Sequence, residues 1–287
     1  MKVYKGKSIE EVIGLLGKYK DKGKVIAGGT DLIIDLRNGK FTPNSLIDIS
    51  SIEELRRVEE WEESIKIGAA TTFTQIIEDS LFDENLYGLK KACITVGSPQ
   101  IRNKGTIGGN IANGSSAADS IPPLLCLDST IVLESVRGKR EISLENYYKD
   151  NLSIMKDEIL TFIQFKKPYK DQVLSFAKLG LRKALAISRL SIATLLELDE
   201  NNKVKTIKIA TGSLGRFPMR EPIVEEFLLG KELTADITDK AVEVLQQVMD
   251  ERLGGRSTLP YKRIAVERIF KEALGHGVKR LKGVEPW

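Results

Sequence analysis

Residues 106–120 read Thr-Ile-Gly-Gly-Asn-Ile-Ala-Asn-Gly-Ser-Ser-Ala-Ala-Asp-Ser and lie between a basic segment and the apolar run 121–127. Paired glycines, two asparagines, serines and a carboxylate predict a loop that brings several backbone N–H groups close to an anion. Glycine permits the turns and close approaches that a Cβ would block. A second segment of the same character, Ala27-Gly28-Gly29-Thr30-Asp31-Leu32-Ile33, lies upstream. Two phosphate-type cradles and one sugar-binding carboxylate suit a large dinucleotide better than a single phosphate.

Neither segment fits the common nucleotide fingerprints. Residues 27–33 lack the G-x-G-x-x-G spacing of a doubly wound dinucleotide site. Residues 106–116 lack the Gly-Lys-Ser/Thr ending of a P-loop, so nucleoside triphosphate hydrolysis has no support.

Composition excludes several other classes. The chain has 287 residues, 41% of them hydrophobic and 29% charged, enough for two or three subdomains with real cores. The net charge of +4 is modest, with no arginine-rich stripe interleaved with aromatics, so nucleic acid is not an expected partner. No run reaches the roughly 18 apolar residues of a membrane span. The start, Met-Lys-Val-Tyr-Lys-Gly-Lys, lacks the apolar core of a signal peptide, and a cytoplasmic location is expected. Cys93 and Cys126 are the only thiols and His276 the only imidazole, so a four-cysteine iron–sulfur or zinc site cannot be built from this chain alone. A redox role would therefore need an organic cofactor here and any metal on a partner.

The chain is read as follows. Ser8 and Glu11 form a capping-box pattern ahead of the apolar face Ile9, Val12, Ile13 and Leu16, with Gly23 as the stop. Strands are expected at 25–27, 45–49, 64–68 and 157–165, with a hairpin over 130–136 and 140–143 turning at Gly138. Short helices are expected at 31–37, after the Ser51/Glu54 box, from Thr72, over 86–96 and over 121–127. Beyond residue 170 come strands at 173–179, 189–198 and 203–210, then helices at 238–250 and 260–274. Ala241, Val242, Leu245 and Val248 are read as inward on the first of these helices, and Tyr261, Ile264, Ile269 and Phe270 on the second. Gly275-His276-Gly277 reads as a helix stop. The expectation is an α+β chain: an N-terminal region carrying the glycine segments, then an antiparallel sheet with packed helices.

The segment Ala-Gly-Gly-Thr-Asp-Leu at 27–32 resembles the FAD-binding (medium) subunits of molybdenum hydroxylases, a group that includes xanthine, carbon monoxide and nicotinate dehydrogenase-type enzymes. So does Gln100-Ile101-Arg102-Asn103-Lys104-Gly105-Thr106-Ile107-Gly108-Gly109-Asn110-Ile111. The likeness continues through Phe176-Ala177-Lys178, Arg182-Lys183-Ala184-Leu185-Ala186-Ile187-Ser188 and Leu259-Pro260-Tyr261-Lys262-Arg263.

The resemblance implies two FAD-binding subdomains of the vanillyl-alcohol-oxidase (PCMH-like) type at 1–55 and 56–170, and a carbon monoxide dehydrogenase flavoprotein-type C-terminal domain at 171–287. It implies FAD bound between the N-terminal subdomains with the C-terminal domain closing over part of the flavin. On that likeness the diphosphate is held by Gly28, Gly29 and Thr30 within 27–33 (Ala27, Asp31, Leu32 and Ile33 flanking). Thr106, Ile107, Gly108, Gly109 and Asn110 supply a second wall. Asp119 accepts from sugar hydroxyls, and Val96, Gly97, Leu160 and Lys178 lie near the flavin ring. No side chain of this chain is a catalytic acid, base or metal ligand on this reading. Many relatives have Ala-Ser-Pro where this chain has Gly114-Ser115-Ser116, which predicts a more flexible loop.

The family likeness further implies a small subunit carrying 2Fe–2S clusters, a large subunit carrying the molybdenum cofactor, and NAD⁺ or another electron acceptor. Two alternatives are a stand-alone FAD-dependent oxidoreductase and an assembly subunit that has lost its cofactor. Cys93 and Cys126 are read as buried packing, Asp31 and Asp35 as helix-start polarity, and Trp61 and Trp287 as surface or interface residues. Arg216 and Arg220 are read as either cofactor contacts or loop braces.

Overall fold

The computed structural model describes residues 1–150, 153–180 and 187–283. Residues 182–186 of the basic motif and Trp287 lie outside the described residues. The chain forms two compact units. The first comprises Met1–Ile76, Ser98–Gly114 and Asp128–Lys167, and the second Ile77–Gly97, Ser115–Leu127 and Pro168–Trp287.

The first unit holds two sheets. Strands β1 (Lys2–Lys5), β2 (Gly23–Ile26) and β3 (Ser45–Asp48) make a parallel sheet in the order β1-β3-β2. Parallel strands of one sheet require a crossover, and the helix Ile9–Tyr19 supplies the one from β1 to β2, which leaves room for β3 between them. Ser8 caps that helix by accepting from the Glu11 N–H, while the Glu11 carboxylate takes the Lys7 N–H. The helix ends at Lys20, whose φ is +47°, ahead of the expected stop at Gly23, which instead opens β2. The second sheet is antiparallel, in the order β4 (Val58–Glu60), β5 (Ser64–Gly68), β8 (Ile159–Lys166), β6 (Thr130–Ser135), β7 (Gly138–Ser143). Ile9, Val12 and Leu16 bury their side chains with Ile47, Leu55, Val132, Ile159 and Phe162, so one core joins both sheets. The Ser51/Glu54 pattern yields only a single tight turn at Glu54–Arg56, because Leu55 is drawn into that core and the chain must be extended again by Val58.

The second unit is a four-stranded antiparallel sheet, β12 (Met219–Arg220), β11 (Val204–Gly212), β10 (Ser188–Leu198) and β9 (Gln172–Gly180), in that order. Helices Ala235–Leu253 and Leu259–Lys282 cover one face through Ala241, Leu245, Met249, Ile269, Phe270 and Leu274. Met249 takes the inward place expected of Val248, which is only half-buried. Tyr261 and Ile264 are exposed rather than inward, the start of the last helix turning Leu259, Ala265 and Val266 to the core instead. That helix does not stop at Gly275-His276-Gly277 but continues to Lys282. Gly277 lies flat on the sheet, where a Cβ would sit 3.2 Å from Ser175 Oγ and 3.4 Å from Leu196 Cδ2. The glycine there is a packing device, not a terminator. The α+β architecture with a C-terminal antiparallel sheet and packed helices is the one the sequence predicts.

Candidate functional site

In an open parallel sheet, ligands bind beyond the carboxyl ends of the strands. Residues 27–31 occupy that position: β2 ends at Ile26 and the helix Leu32–Arg37 begins just after them. Gly29 has φ +69°, the left-handed region that favours glycine. The turn it makes leaves the N–H groups of Gly28, Gly29, Thr30, Asp31 and Leu32 without an acceptor among the described residues. Successive main-chain donors at a half-buried turn form an anion-binding concavity. The site is electrically plain, because Asp31 is exposed and Asp35 is paired with Lys40 at 2.5 Å.

The second glycine segment is not the loop its composition suggests. Residues Ile107–Asn113 form a helix, with Thr106 as N-cap accepting the Gly109 N–H at 3.1 Å and Gly114 closing it at φ +64°. Ile107 and Ile111, one turn apart, are fully buried and hold the helix in place. The interspersed glycines hid that spacing. The first turn spends its own donors: Ile107 N–H goes to Thr71 O and Gly108 N–H to Ala69 O, both at 3.0 Å. A Cβ on Gly108 would come within 2.5 Å of the Ala69 Cβ, so this glycine lets the helix lie on the residues that follow β5. Gly109 differs. It is exposed, and the only atom near its missing Cβ is the Thr106 cap oxygen. Asn110 beside it is half-buried.

The two motifs meet through main chain. A Cβ on Gly28 would overlap the carbonyl of Lys104, two residues before the Thr106 cap. Thr106 also bridges to Thr72, whose side chain and N–H form a reciprocal cap with Gln75. Leu160 lies in β8 one residue from Thr161, whose carbonyl accepts from Ala69 N–H at 2.8 Å. Sequence reading missed Lys104 and Ala69, whose contributions are main-chain atoms that no side chain announces.

The other sequence-predicted residues fall in the second unit. Asp119 is buried, and its Oδ2 takes the Lys178 ammonium at 2.5 Å and the Thr95 hydroxyl at 3.3 Å. Lys178, on β9, also donates to the Thr95 carbonyl at 3.0 Å. Asp119 Oδ1 and the Ser188 and Ser191 hydroxyls of β10 are buried without a partner in full hydrogen-bond geometry among the described residues, although the Ser188 hydroxyl lies near enough to the carboxyl to help stabilise its charged form. Burial pushes the Asp119 carboxyl above its ordinary range, against the pull of the Lys178 ammonium. Val96 and Gly97 follow the helix Tyr87–Ile94, with Gly97 at φ +45°. Cys93 and Cys126 are buried. Arg220 braces the fold by gripping Glu225 at 2.7 and 2.8 Å, while Arg216 is exposed. The Gly114-Ser115-Ser116 turn is tied down: Ser115 accepts from Ala117 and Ala118, and Ser116 O takes Ser213 N–H at 2.7 Å.

Taken each by itself, the concavity of main-chain donors in the first unit suits a phosphate-type anion, and the buried carboxylate in the second suits a hydroxyl donor. Comparison with known proteins agrees. A family model described as "FAD binding domain in molybdopterin dehydrogenase" matches residues 1–167, and one described as "CO dehydrogenase flavoprotein C-terminal domain" matches residues 175–276. The chain is 35% identical over 283 residues to the nicotinate dehydrogenase FAD-subunit of Eubacterium barkeri, covering 96% of each chain. It is 30% identical over 284 residues to the xanthine dehydrogenase FAD-binding subunit of Escherichia coli O157:H7, covering 98% of this chain and 97% of that one. Among solved structures, a chain of the carbon monoxide dehydrogenase from Hydrogenophaga pseudoflava that lacks the Mo-pyranopterin moiety superposes with a TM-score of 0.88 at 26% identity, covering 98% of each. With models of both domains matched and two such relatives aligned along nearly its whole length, this chain belongs to the FAD-binding medium subunits of the molybdenum hydroxylases, the flavoprotein component of molybdenum-containing dehydrogenases.

Proposed function

We propose that the N–H groups of Gly28, Gly29, Thr30, Asp31 and Leu32, flanked by Ala27 and Ile33, hold the diphosphate of FAD. Thr106, Ile107, Gly108, Gly109 and Asn110 form the second wall. Within that wall Gly109 offers the bare surface for close approach, because the donors of Ile107 and Gly108 are already spent. Asp119 accepts from a sugar hydroxyl through its Oδ1, and Val96, Gly97, Leu160 and Lys178 belong to the flavin end. The observation that carries this reading is the run of five donors without acceptors beside a glycine seated on the Lys104 carbonyl. When bound, FAD supplies hydride and one-electron chemistry; the chain supplies binding, orientation and electrostatics.

In the cell the chain stands between a small partner subunit bearing 2Fe–2S clusters, reduced by the molybdenum cofactor of a large subunit, and NAD⁺ or another acceptor. Such a heterotrimeric cytoplasmic complex accords with a chain of two cysteines and one histidine, too few to build clusters of its own. It also accords with relatives whose names mark them as the FAD subunits of nicotinate and xanthine dehydrogenases. No helix among the described residues is long and apolar enough to cross a membrane.

The test is the visible absorption spectrum of the purified chain, with heat release and identification of any chromophore, followed by anaerobic titration with NADH. A flavin spectrum with FAD released supports the site. A colourless protein that takes up no added FAD overturns it. Failure of NADH to bleach a bound flavin removes NAD⁺ as the acceptor and leaves the FAD assignment standing.

A further inference from the structure

We propose that Arg189, Arg256 and Lys262 form an anion site on the second unit, one that takes a phosphate group. The three come from separate segments. Arg189 stands on β10, where Ser188 pairs with Gly180 and Leu190 with Leu179, so it is the extra residue of a β-bulge. A bulge re-aims the side chain it carries, and Arg189 is exposed although the residues on both sides of it are buried. Arg256 lies in the turn between the last two helices. Gly255 reverses the chain just before it at φ +78°, and the Arg256 backbone is held on both sides, its N–H on Leu253 O and its carbonyl on Leu259 N–H, each at 3.0 Å. Lys262 follows near the start of the last helix, half-buried, with its ammonium donating to the Ser213 carbonyl.

None of the three has a carboxylate partner among the described residues. The cations beside them do: Arg252, just before Arg256, grips Glu221 at 2.8 and 2.9 Å, and Arg263, next to Lys262, holds Asp250 at 3.2 Å. The first turn of the last helix carries no acidic residue either. Burial, and after it the charges of Arg256 and Arg189, hold the Lys262 pKa below the ordinary lysine value, so like charges converge there with no acid to relieve them. An anion with several acceptor oxygens removes that repulsion, and guanidinium forks match phosphate oxygens in pairs. Ser213, which holds Lys262, also donates its hydroxyl to Ser188 O at 3.0 Å and its N–H to Ser116 O at 2.7 Å, which ties the cluster to the surroundings of Asp119. Two sources carry the required group. One is free inorganic phosphate; the other, which rests on the reading of Asp119 as a cofactor ligand, is a nucleotide electron acceptor reaching the flavin.

Thermal melts of the full-length chain test the site, with excess FAD present to occupy the diphosphate cradle. Inorganic phosphate is the probe, and sodium chloride at matched ionic strength is the control, because any salt screens exposed charges. Phosphate is expected to raise the wild-type melting temperature above the chloride control, since a ligand of the folded state stabilises it. R189Q/R256Q, which alters only exposed side chains, is expected to weaken phosphate about 10-fold, the loss of charge-assisted hydrogen bonds. K262M should do the same, while R268Q, an exposed cation farther along the same helix, should keep the full shift. No shift beyond chloride in wild type, or an undiminished shift in R189Q/R256Q, overturns the proposal. Competition then separates the sources. Phosphate that raises the NADH concentration needed for half-maximal flavin bleaching, and an equivalent rise in R189Q/R256Q with its flavin spectrum intact, assign the site to the nucleotide. Phosphate binding without that competition assigns it to the free anion. A chain that takes up no FAD sinks the FAD reading alone, because the phosphate shift and its loss in R189Q/R256Q are read in the same melts without flavin.

Discussion

The α-carbon of Gly28 lies against the main-chain carbonyl of Lys104, so that a Cβ at position 28 would overlap it. Two motifs more than seventy residues apart in sequence are thereby joined backbone to backbone. Alanine at 28 must push the 101–105 segment away. Gly28→Ala is expected to cost about 3 kcal/mol of stability, the upper end for overpacking against an unyielding neighbour, and to lower FAD occupancy in the purified protein. Chemical denaturation with a parallel flavin assay checks both, and an unchanged unfolding midpoint would show that the contact yields.

Gly109 makes the opposite prediction. It is exposed, and the one neighbour of its missing Cβ is the Thr106 cap hydroxyl at 2.9 Å, so a side chain there asks only that this cap shift. Gly109→Val is expected to cost the cofactor-free chain no more than about 1 kcal/mol, the disturbance of the Thr106 cap, partly offset because valine is no worse a helix former than glycine. FAD affinity should fall by more than 10-fold through collision with the diphosphate. Full flavin occupancy in this variant would remove the helix Ile107–Asn113 from the site.

Gly277 tests the close seating of the last helix on the sheet. A side chain there meets Ser175 Oγ and Leu196 within 3.4 Å. Gly277→Leu should destabilise the protein by about 1–3 kcal/mol, overpacking outweighing the gain in helix propensity. A urea titration monitored by circular dichroism reads the difference; a more stable variant would mean the helix can lift away.

His276, the only imidazole, lies with Nδ1 3.1 Å from the Lys91 ammonium. An ammonium has no lone pair, so the ring accepts, and it does so as the neutral form. Burial, the Lys91 charge, and the more distant Lys279 and Arg280 all hold its pKa below the ordinary value, with Glu272 opposing. A depressed native pKa means stability that is present above the unfolded value, near 6.5, and lost as pH falls through the native one. The single imidazole resonance should therefore titrate below pH 6.5, and His276→Gln should flatten the decline of melting temperature in that range. A midpoint at or above 6.5 would rule out the Lys91 contact in solution.

Much of the secondary structure was legible because local signals decide it. Ser8 caps the first helix, Pro122-Pro123 open the helix Ile121–Cys126, and the alternation in Lys203–Ala210 becomes β11. Three of the misreadings share one cause, which is that glycine is ambiguous in one dimension. Gly23 starts a strand, Gly277 continues a helix, and Gly108-Gly109 sit inside one, and each choice is made by what lies across from the missing side chain.

By itself the sequence determined the α+β class, the family, the cofactor, and the two glycine segments, since these rest on residue types and their order along the chain. Only the tertiary structure decided which glycine does what. Gly28 and Gly108 are needed by the protein's own packing, against Lys104 and Ala69, while Gly109 is exposed and meets only the Thr106 hydroxyl. It also decided that Lys178 faces Asp119 and Thr95, from segments that lie far apart in the sequence. Main-chain carbonyls, unpaired N–H groups and the burial that makes a lone charge costly carry no signature in residue identity, and they exist only once the chain has folded back on itself.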